Sequence, residues 1–328
     1  MVPDTIRLMT AHFATARLTR HPDGITAVDT EYIRPGLAAS HIIQHGGAAA
    51  FVDVGTNYSV PHLLGALQEL QIDPAAVEYV FTTHVHLDHA GGAGLLLQSL
   101  PSARLVVHPR GASHLIDPAK LIAASKVVYG AERYRELYGE LIPVDASRVL
   151  QSEDGQRITL RGRPLQLLHT PGHALHHYCV VDLEHHNLFT GDTFGLSYRE
   201  MDTAHGAFGV PTTTPSQFDP AQLIDSIDRL MATEPKAAYL MHYSRVTGLP
   251  AMAASLKAQI PQLAALALRH ADDADPYAAI YGEMRALWIE LAGRHGLADP
   301  AASVDEYLSK DIDLNTQGLI AWVKRQRR

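Results

Sequence analysis

The sequence predicts an α+β protein with a sheet-on-sheet core covered by helices. Segments typical of strands come in two batches, one before residue 108 and one between residues 157 and 241. Segments typical of helices lie between the two batches and after the second. This pattern favours stacked sheets over a regularly alternating parallel fold.

Turn signals separate the strands of the first batch. The cluster His21-Pro22-Asp23-Gly24 breaks the first β-favouring runs. Two apolar runs, 40–44 and 48–54, flank Gly46-Gly47, which predicts a β-hairpin. Pro61 suits the first turn of a helix with leucines at helical spacing. The other elements predicted here are a buried strand at 77–82, a short helix at 95–100 and a strand at 105–107.

From about residue 109 onward, the chain is predicted to be mostly helical outside its strands. A helical stretch from about 109 to 142 carries Tyr129, Tyr134 and Tyr138 near an apolar face. It is expected either to cover a substrate, to pack without a substrate role, or to make dimer contacts. Strands are predicted at 157–160, 165–168, 177–182, 188–190 and 237–241, and helices at 220–232, 251–270, 276–294 and 314–324. We therefore expect a main domain over residues 1–250, with a helical insertion at about 109–142, and a helical C-terminal extension over residues 251–328. That extension is either a small second domain or an appendage on the core.

Composition and charge narrow the class of protein. With 328 residues, 46% of them hydrophobic, the chain can bury one large core or a core plus a modest second unit. The formal net charge of -8 gives no general attraction to nucleic acid. The short basic run 324–328 is interpreted as a solvated tail. Nucleic acid is therefore not expected as a partner.

Cysteine usage and hydropathy predict a cytoplasmic protein. Cys179 is the only cysteine, so an intrachain disulfide is excluded and a reducing compartment is the default. It lies in an apolar run, where a buried, inert thiol is expected. The sequence has no basic-then-apolar signal pattern, and no run approaches the roughly 18 apolar residues of a membrane span. No membrane association is expected.

A cluster of metal-ligand residue types follows the strand at 77–82. His84, His86, Asp88 and His89 fall within six residues. Imidazole and carboxylate suit zinc, and also iron or manganese. Four such groups on one loop would crowd a single tetrahedral ion, so two ions sharing the loop are the natural solution. The alternative is a solvated loop that is rich in histidine, but a chance match should arise in under about one chain in a hundred.

The residues 83–92, THVHLDHAGG, resemble the hallmark motif of the metallo-β-lactamase superfamily, which includes glyoxalase II, the lactonases and ribonuclease Z. Three later segments resemble the family's remaining ligand positions in order and approximate spacing. They are Thr170-Pro171-Gly172-His173, Gly191-Asp192 after a strand, and His242 after another strand. The resemblance covers residues 40–245 and implies a four-layer αβ/βα sandwich of two mixed sheets with outer helices, so that residues 1–250 would form the catalytic domain.

The resemblance also implies which residues hold which ion. One ion would be held by His84, His86 and His173. The second would be held by Asp88, His89 and His242. Asp192 would bridge both ions, because a carboxylate between two dications offsets their repulsion.

A two-metal hydrolase is therefore expected, with two divalent ions, Zn²⁺ foremost and Fe or Mn as alternatives. A metal-bridging hydroxide would attack the carbonyl of a small ester, thioester or lactone. Asp88 and Asp192 are the expected catalytic residues, and Asp88 would also hold the nucleophile in line. Glyoxalase-like members usually have Thr-x-Gly where this chain has Ala174-Leu175-His176, and the segment 241–244 lacks their Gly-His-Glu-Tyr pattern. The substrate therefore stays open among the three classes, as does a homodimer.

Three rival functions remain. Persulfide dioxygenases share the fold and the histidine loop but use a single iron. A regulatory protein could keep the metal site with negligible turnover. A ribonuclease Z-like nuclease is disfavoured by the acidic balance and the lack of a basic RNA-binding arm.

Several neighbouring residues have two interpretations. Asp53, at the end of an early strand, either orients a metal-bound imidazole or caps the following helix, and the two are about equally supported. His177 is expected to pack at the site where a strand begins. For Tyr198 and Tyr243, core packing is favoured over protonation of the leaving group.

Overall fold

The computed structural model describes residues 15–213 and 217–327. Within these ranges the strands form two mixed sheets, of seven and six strands, accompanied by helices. The predicted α+β class is confirmed. By their contacts the residues divide into two compact units. The first runs to residue 153 and includes 158–164, and the second comprises 154–157 and the chain from residue 165 onward.

The seven-stranded sheet follows the order of the chain. Neighbours are antiparallel from the first to the fourth strand and parallel from the fourth to the seventh. The predicted hairpin is confirmed, with Gly46 and Gly47 at φ 57° and 80°, a conformation that favours glycine. The strands are β1 Leu18–Arg20, β2 Ile25–Asp29, β3 Ala39–His45, β4 Ala48–Val52, β5 Val77–Thr82, β6 Arg104–Val107 and β7 Val149–Gln151.

Six α-helices of the first unit lie within the described residues. Phe51, Leu63, Leu96 and Leu105 are fully buried in the core that these helices form with the sheet. The predicted helical stretch at about 109–142 contains the last three of these helices. They are α1 Val60–Glu69, α2 Leu87–Ala90, α3 Ala93–Gln98, α4 Pro109–Ile116, α5 Ala119–Tyr129 and α6 Ala131–Tyr138.

The second sheet has six strands in the order β13-β12-β11-β10-β9-β8. The pair β11–β12 is parallel, whereas β9–β10, β10–β11 and β12–β13 are antiparallel. The strands are β8 Arg157–Leu160, β9 Arg163–His169, β10 Tyr178–Asp182, β11 Asn187–Gly191, β12 Ala237–Leu240 and β13 Ser244–Val246.

The described part of the second unit also contains five α-helices. Its helices are α7 Pro220–Met231, α8 Leu249–Arg269, α9 Pro276–Arg294, α10 Pro300–Tyr307 and α11 Ser309–Gln326. The helical character predicted beyond residue 250 is confirmed, while the domain boundary at that residue stays a prediction. Among the described residues no helix has the length and apolar character that crossing a membrane requires.

Candidate metal centre

The histidine loop begins where β5 ends. β5 lies between two parallel neighbours, so its carboxyl end is a rigid origin for the loop. His84 and His89 are fully buried. The Nε2 atom of His84 and the Nδ1 atom of His86 are 2.8 Å apart, and His89 Nε2 is 3.9 Å from Asp88 Oδ2. The loop therefore brings two pairs of potential ligand atoms close together.

Asp53 fixes the orientation of one imidazole in this loop. Its buried carboxylate accepts hydrogen bonds from the Thr83 backbone N–H at 2.8 Å and from the Thr83 hydroxyl at 2.9 Å. His89 Nδ1 lies 3.0 Å from Asp53 Oδ2, so Nδ1–H donates and Nε2 keeps its lone pair. The cap of the following turn is Thr56, not Asp53. Asp53 therefore contacts a ring and does not cap the turn, while metal binding by His89 stays a prediction.

Three further ligand candidates come together in the second unit. His173 lies on the loop between β9 and β10, Asp192 directly follows β11, and His242 follows β12. His173 Nε2 is 3.3 Å from Asp192 Oδ2, and His242 Nε2 is 3.7 Å from Asp192 Oδ1. Each carboxylate oxygen therefore faces a different imidazole, which is the arrangement a bridging ligand needs.

Thr212 orients the ring of His173, and sequence reasoning missed it. The Thr212 hydroxyl donates to the Asp192 carbonyl oxygen at 3.1 Å, because that oxygen can only accept. The hydroxyl oxygen then accepts from His173 Nδ1–H at 2.9 Å. The lone pair of His173 is thus left on Nε2, which faces Asp192. No signal in the sequence marks Thr212, since it lies in an irregular segment far from both partners.

His177 packs beneath Asp192, as expected for a histidine where a strand begins. Its Nε2 atom accepts from the Asp192 backbone N–H at 3.2 Å. Its Nδ1–H therefore faces the hydroxyls of Thr170 and Thr193, at 2.9 and 3.1 Å. The ring is fully buried. His177 holds the backbone of Asp192, and the prediction of a packed histidine is confirmed.

Two other side chains singled out by sequence, Cys179 and Tyr198, are buried and structural. Cys179 is buried, and its Sγ donates to the Thr190 carbonyl at 3.4 Å. Tyr198 is buried, and its hydroxyl donates to Asp311 at 3.1 Å. The predictions of a buried thiol and of core packing for Tyr198 are confirmed. A proton-donor role for Tyr243 stays an untested alternative.

An aromatic cluster packs against Leu87 of the histidine loop in the first unit. Tyr134, Tyr138 and Leu141 pack with Leu87, and Tyr32 adds to them. The hydroxyls of Tyr32 and Tyr138 are 3.1 Å apart. Burial raises the pKa of both phenols, and the charge of Asp88 raises it further. Both phenols are therefore neutral in the physiological range and act as hydrogen-bonding groups.

Two sets of histidine and aspartate side chains could each hold a metal ion. Within each set all ligand atoms lie within 4.8 Å of one another. Ligand atoms about 2.0–2.2 Å from one zinc ion lie at most about 4.4 Å apart. The 4.8 Å limit is slightly wider than this, so each set is a candidate group of ligands for one ion. The sets are His84, His86, His173 and Asp192, and Asp88, His89 and His242.

Known proteins match this chain in sequence and in fold. The family model described as the metallo-beta-lactamase superfamily matches residues 33–242. The chain is 28% identical over 212 residues to a metallo-beta-lactamase fold-containing protein of Sulfurisphaera tokodaii, covering 63% of this chain and 73% of that protein. A solved structure of an archaeal superfamily member from Sulfolobus tokodaii matches with a TM-score of 0.62 at 22% identity, covering 91% of this chain and 99% of the other. That likeness confirms the predicted fold class.

Two relatives carry the names of hydrolases. The chain is 30% identical over 152 residues to the hydroxyacylglutathione hydrolase of Aeromonas hydrophila, covering 46% of this chain and 44% of that protein. It is 35% identical over 116 residues to the acyl-coenzyme A thioesterase MBLAC2 of Gallus gallus, covering 34% of this chain and 39% of that protein. The chain thus spans less than half of either hydrolase.

Proposed function

The chain belongs to the metallo-β-lactamase superfamily, and we propose that it is a binuclear metal-dependent hydrolase of small esters, thioesters or lactones. The observation that carries this proposal is the Asp192 carboxylate. Its two oxygens face two different imidazoles, at 3.3 and 3.7 Å. A buried carboxylate in that position is suited to neutralise two cations at once.

We propose the full ligand set that the sequence predicts. One ion would be held by His84, His86 and His173, the other by Asp88, His89 and His242, with Asp192 shared. The tautomers support this assignment. Asp53 and Thr212 each fix a proton on Nδ1, which leaves the Nε2 lone pairs of His89 and His173 available for a cation. Zinc suits these ligand types best, with iron or manganese as alternatives.

When bound, the two ions would supply Lewis acidity and would lower the pKa of a water molecule toward neutrality. The side chains of the chain itself would position the reactants. Asp88 is partly exposed, with 23% of its side chain accessible, so its carboxylate could accept a hydrogen bond from the attacking water. The water oxygen forms a bond to the acyl carbon, the bond to the leaving group breaks, and the leaving group departs with the proton.

Among the three substrate classes, we favour a thioester. The support is the names of two relatives, a hydroxyacylglutathione hydrolase and an acyl-coenzyme A thioesterase. The chain departs from the glyoxalase pattern at Ala174-Leu175-His176. We therefore do not assign glutathione as the thiol.

The proposal also concerns the cellular setting. A single buried cysteine fits a reducing, cytoplasmic location. A net charge of -8 is unsuited to nucleic acid, so a small molecule is the proposed partner. A homodimer is compatible with this proposal, and sedimentation velocity would decide between monomer and dimer.

The test compares His86→Ala with a matched control, His62→Ala. His62 lies in α1 of the same unit, its side chain is 16% exposed, and it belongs to neither ligand set. Hydrolysis of a panel of thioesters, esters and lactones by the zinc-loaded protein is followed together with metal content. We expect His86→Ala to lose metal and about 100-fold or more of kcat/KM, while His62→Ala keeps both.

Two results would count against the hydrolase. Unchanged turnover in His86→Ala would remove the metal site from the reaction. One iron per chain with oxygen uptake on a persulfide would instead support the dioxygenase.

A further inference from the structure

A cavity of about 660 Å³ lies within the second unit, and none of the seven proposed metal ligands lines it. Its wall includes three arginines, Arg199, Arg245 and Arg294, and a single acidic residue, Asp202. The chain as a whole is acidic, with a formal net charge of -8. Arg294 pairs with Glu290, and the remaining charges of the wall, Arg199, Arg245 and Asp202, sum to a positive value, opposite in sign to the net charge of the chain.

Arg245 is the arginine in this wall for which the described part of the chain provides no charged partner. It lies in β13, opposite Tyr239 of β12, and is half-buried. Its Nε atom is buried without a hydrogen-bond partner. No ion pair or other polar contact of its side chain is found within residues 15–213 and 217–327. A half-buried guanidinium without an acceptor costs free energy unless water or a ligand satisfies it, and an oxyanion satisfies it best.

Arg199, by contrast, is already held in place. One Nη atom donates to the carbonyl and the hydroxyl of Ser197, both at 2.7 Å. The other lies 3.3 Å from the Asp202 carboxylate. Burial lowers the pKa of Arg199, and the charge of Asp202 opposes that shift. The Asp202 carboxylate is thus engaged by Arg199, and the charge of Arg245 remains to be balanced.

The start of a long helix adds to the positive potential of the cavity. α8, of 21 residues, begins at Leu249 without a side-chain cap. Gly248, Ala251 and Met252, at its first turn, are part of the cavity wall. The positive end of the helix dipole favours an anion at this position.

We propose that this cavity binds a small organic ligand through an oxyanion group, a phosphate or a carboxylate, which pairs with Arg245. A guanidinium matches either group with two parallel hydrogen bonds. The volume lies within the range of small-molecule sites, about 300–1,000 Å³, and exceeds what an inorganic ion requires. The site is separate from the proposed metal centre, so the inference does not depend on the proposed hydrolase.

The test is a calorimetric titration of the zinc-loaded protein with inorganic phosphate, pyrophosphate and succinate. Three variants are titrated beside the wild type. Arg245→Gln removes the charge, Arg269→Gln removes an exposed arginine that pairs with Glu283, and His86→Ala disables the proposed metal centre. We expect Arg245→Gln to weaken binding about tenfold or more, and the other two to leave it unchanged. The probe that binds tells a phosphate ligand from a carboxylate ligand.

Three results would overturn the proposal. They are no binding of any probe at about 10 mM, unchanged binding by Arg245→Gln, and loss of binding in His86→Ala, which would place the anion at the metal centre. If Arg245→Gln does not fold, the arginine Nε–H resonances of the wild type replace it. Phosphate or succinate should shift the Arg245 resonance, and an unshifted resonance would refute the site.

Discussion

Replacing Asp53 by Asn should weaken metal binding without disturbing the backbone. Asp53 has a positive φ of 53°, which Asn tolerates well, so the variant avoids new strain. The amide oxygen can still accept from the Thr83 N–H. The amide nitrogen would replace the oxygen that lies 3.0 Å from His89 Nδ1. Two donors would then face each other, and His89 would have to move its proton to Nε2.

The size of the effect follows from this change of tautomer. A proton on Nε2 occupies the lone pair that a cation needs. Loss of such an orienting partner typically costs about 10–100-fold in metal affinity, or about 1.4–2.7 kcal/mol. A competition titration of zinc against a chromogenic chelator measures the affinity directly. We expect Asp53→Asn to lose affinity in that range while its far-UV circular dichroism stays native.

The matched control is Asp29→Asn. Asp29 is also buried, and its carboxylate accepts from the backbone N–H groups of Glu31 and Gly36 at 2.8 and 2.7 Å. It contacts no imidazole through these bonds, so this variant should lose stability but not zinc affinity. Wild-type affinity in Asp53→Asn, or an equal loss in Asp29→Asn, would refute the reasoning.

Three further predictions concern orientation, packing and pH. Thr212→Val should lower zinc affinity about 10–100-fold in the same titration, because the valine methyl cannot accept from His173 Nδ1–H; unaltered affinity would contradict this. Gly94→Ala places a methyl group against a backbone carbonyl and should lower the free energy of unfolding by about 1–3 kcal/mol. The control Gly282→Ala has open space around the new methyl group and should raise the free energy of unfolding by about 0.5–1 kcal/mol. Urea unfolding measures both. Burial, aided by a nearby histidine, lowers the pKa of His41 from 6.5 to about 3. The unfolded chain therefore binds this proton first, and stability should fall by up to about 1.4 kcal/mol per pH unit below 6.5. The free energy of unfolding of His41→Gln should depend less on pH than that of the wild type between pH 6.5 and 3. If the two proteins show the same dependence on pH, His41 does not cause the loss of stability in acid.

The candidate ligands were predictable because most of them stand beside strong local signals. His84, His86, Asp88 and His89 are contiguous and follow an apolar strand, so composition and position both mark them. Asp192 and His242 each follow a predicted strand. The order of His173, Asp192 and His242 along the chain resembles that of the ligands in a known family, and it indicated these three residues as the remaining candidates.

The residues that orient those ligands were less predictable. Asp53 stands where a carboxylate can either cap a turn or contact a ring, and only the cap at Thr56 together with the contact to His89 decides between them. Thr212 is contributed by an irregular segment whose path depends on tertiary packing. Neither periodicity nor spacing could reveal it.

Short elements were the main omissions in the fold. β7 and β13 have three residues each, too few for an alternating pattern to appear. α10, Pro300–Tyr307, was also missed, although Asp299 caps it and Pro300 lies in its first turn. Its eight residues are short for a helical repeat of apolar side chains. The long helices and the hairpin at Gly46-Gly47 carried clear signals and were predicted.

The most direct test of the two-metal account is the metal stoichiometry of the purified protein and of Asp192→Asn, measured by inductively coupled plasma mass spectrometry after dialysis. The bridging geometry predicts two divalent ions per chain in the wild type and loss of at least one in the variant. An equal metal content in both proteins, or no stoichiometric metal in the wild type, would contradict it.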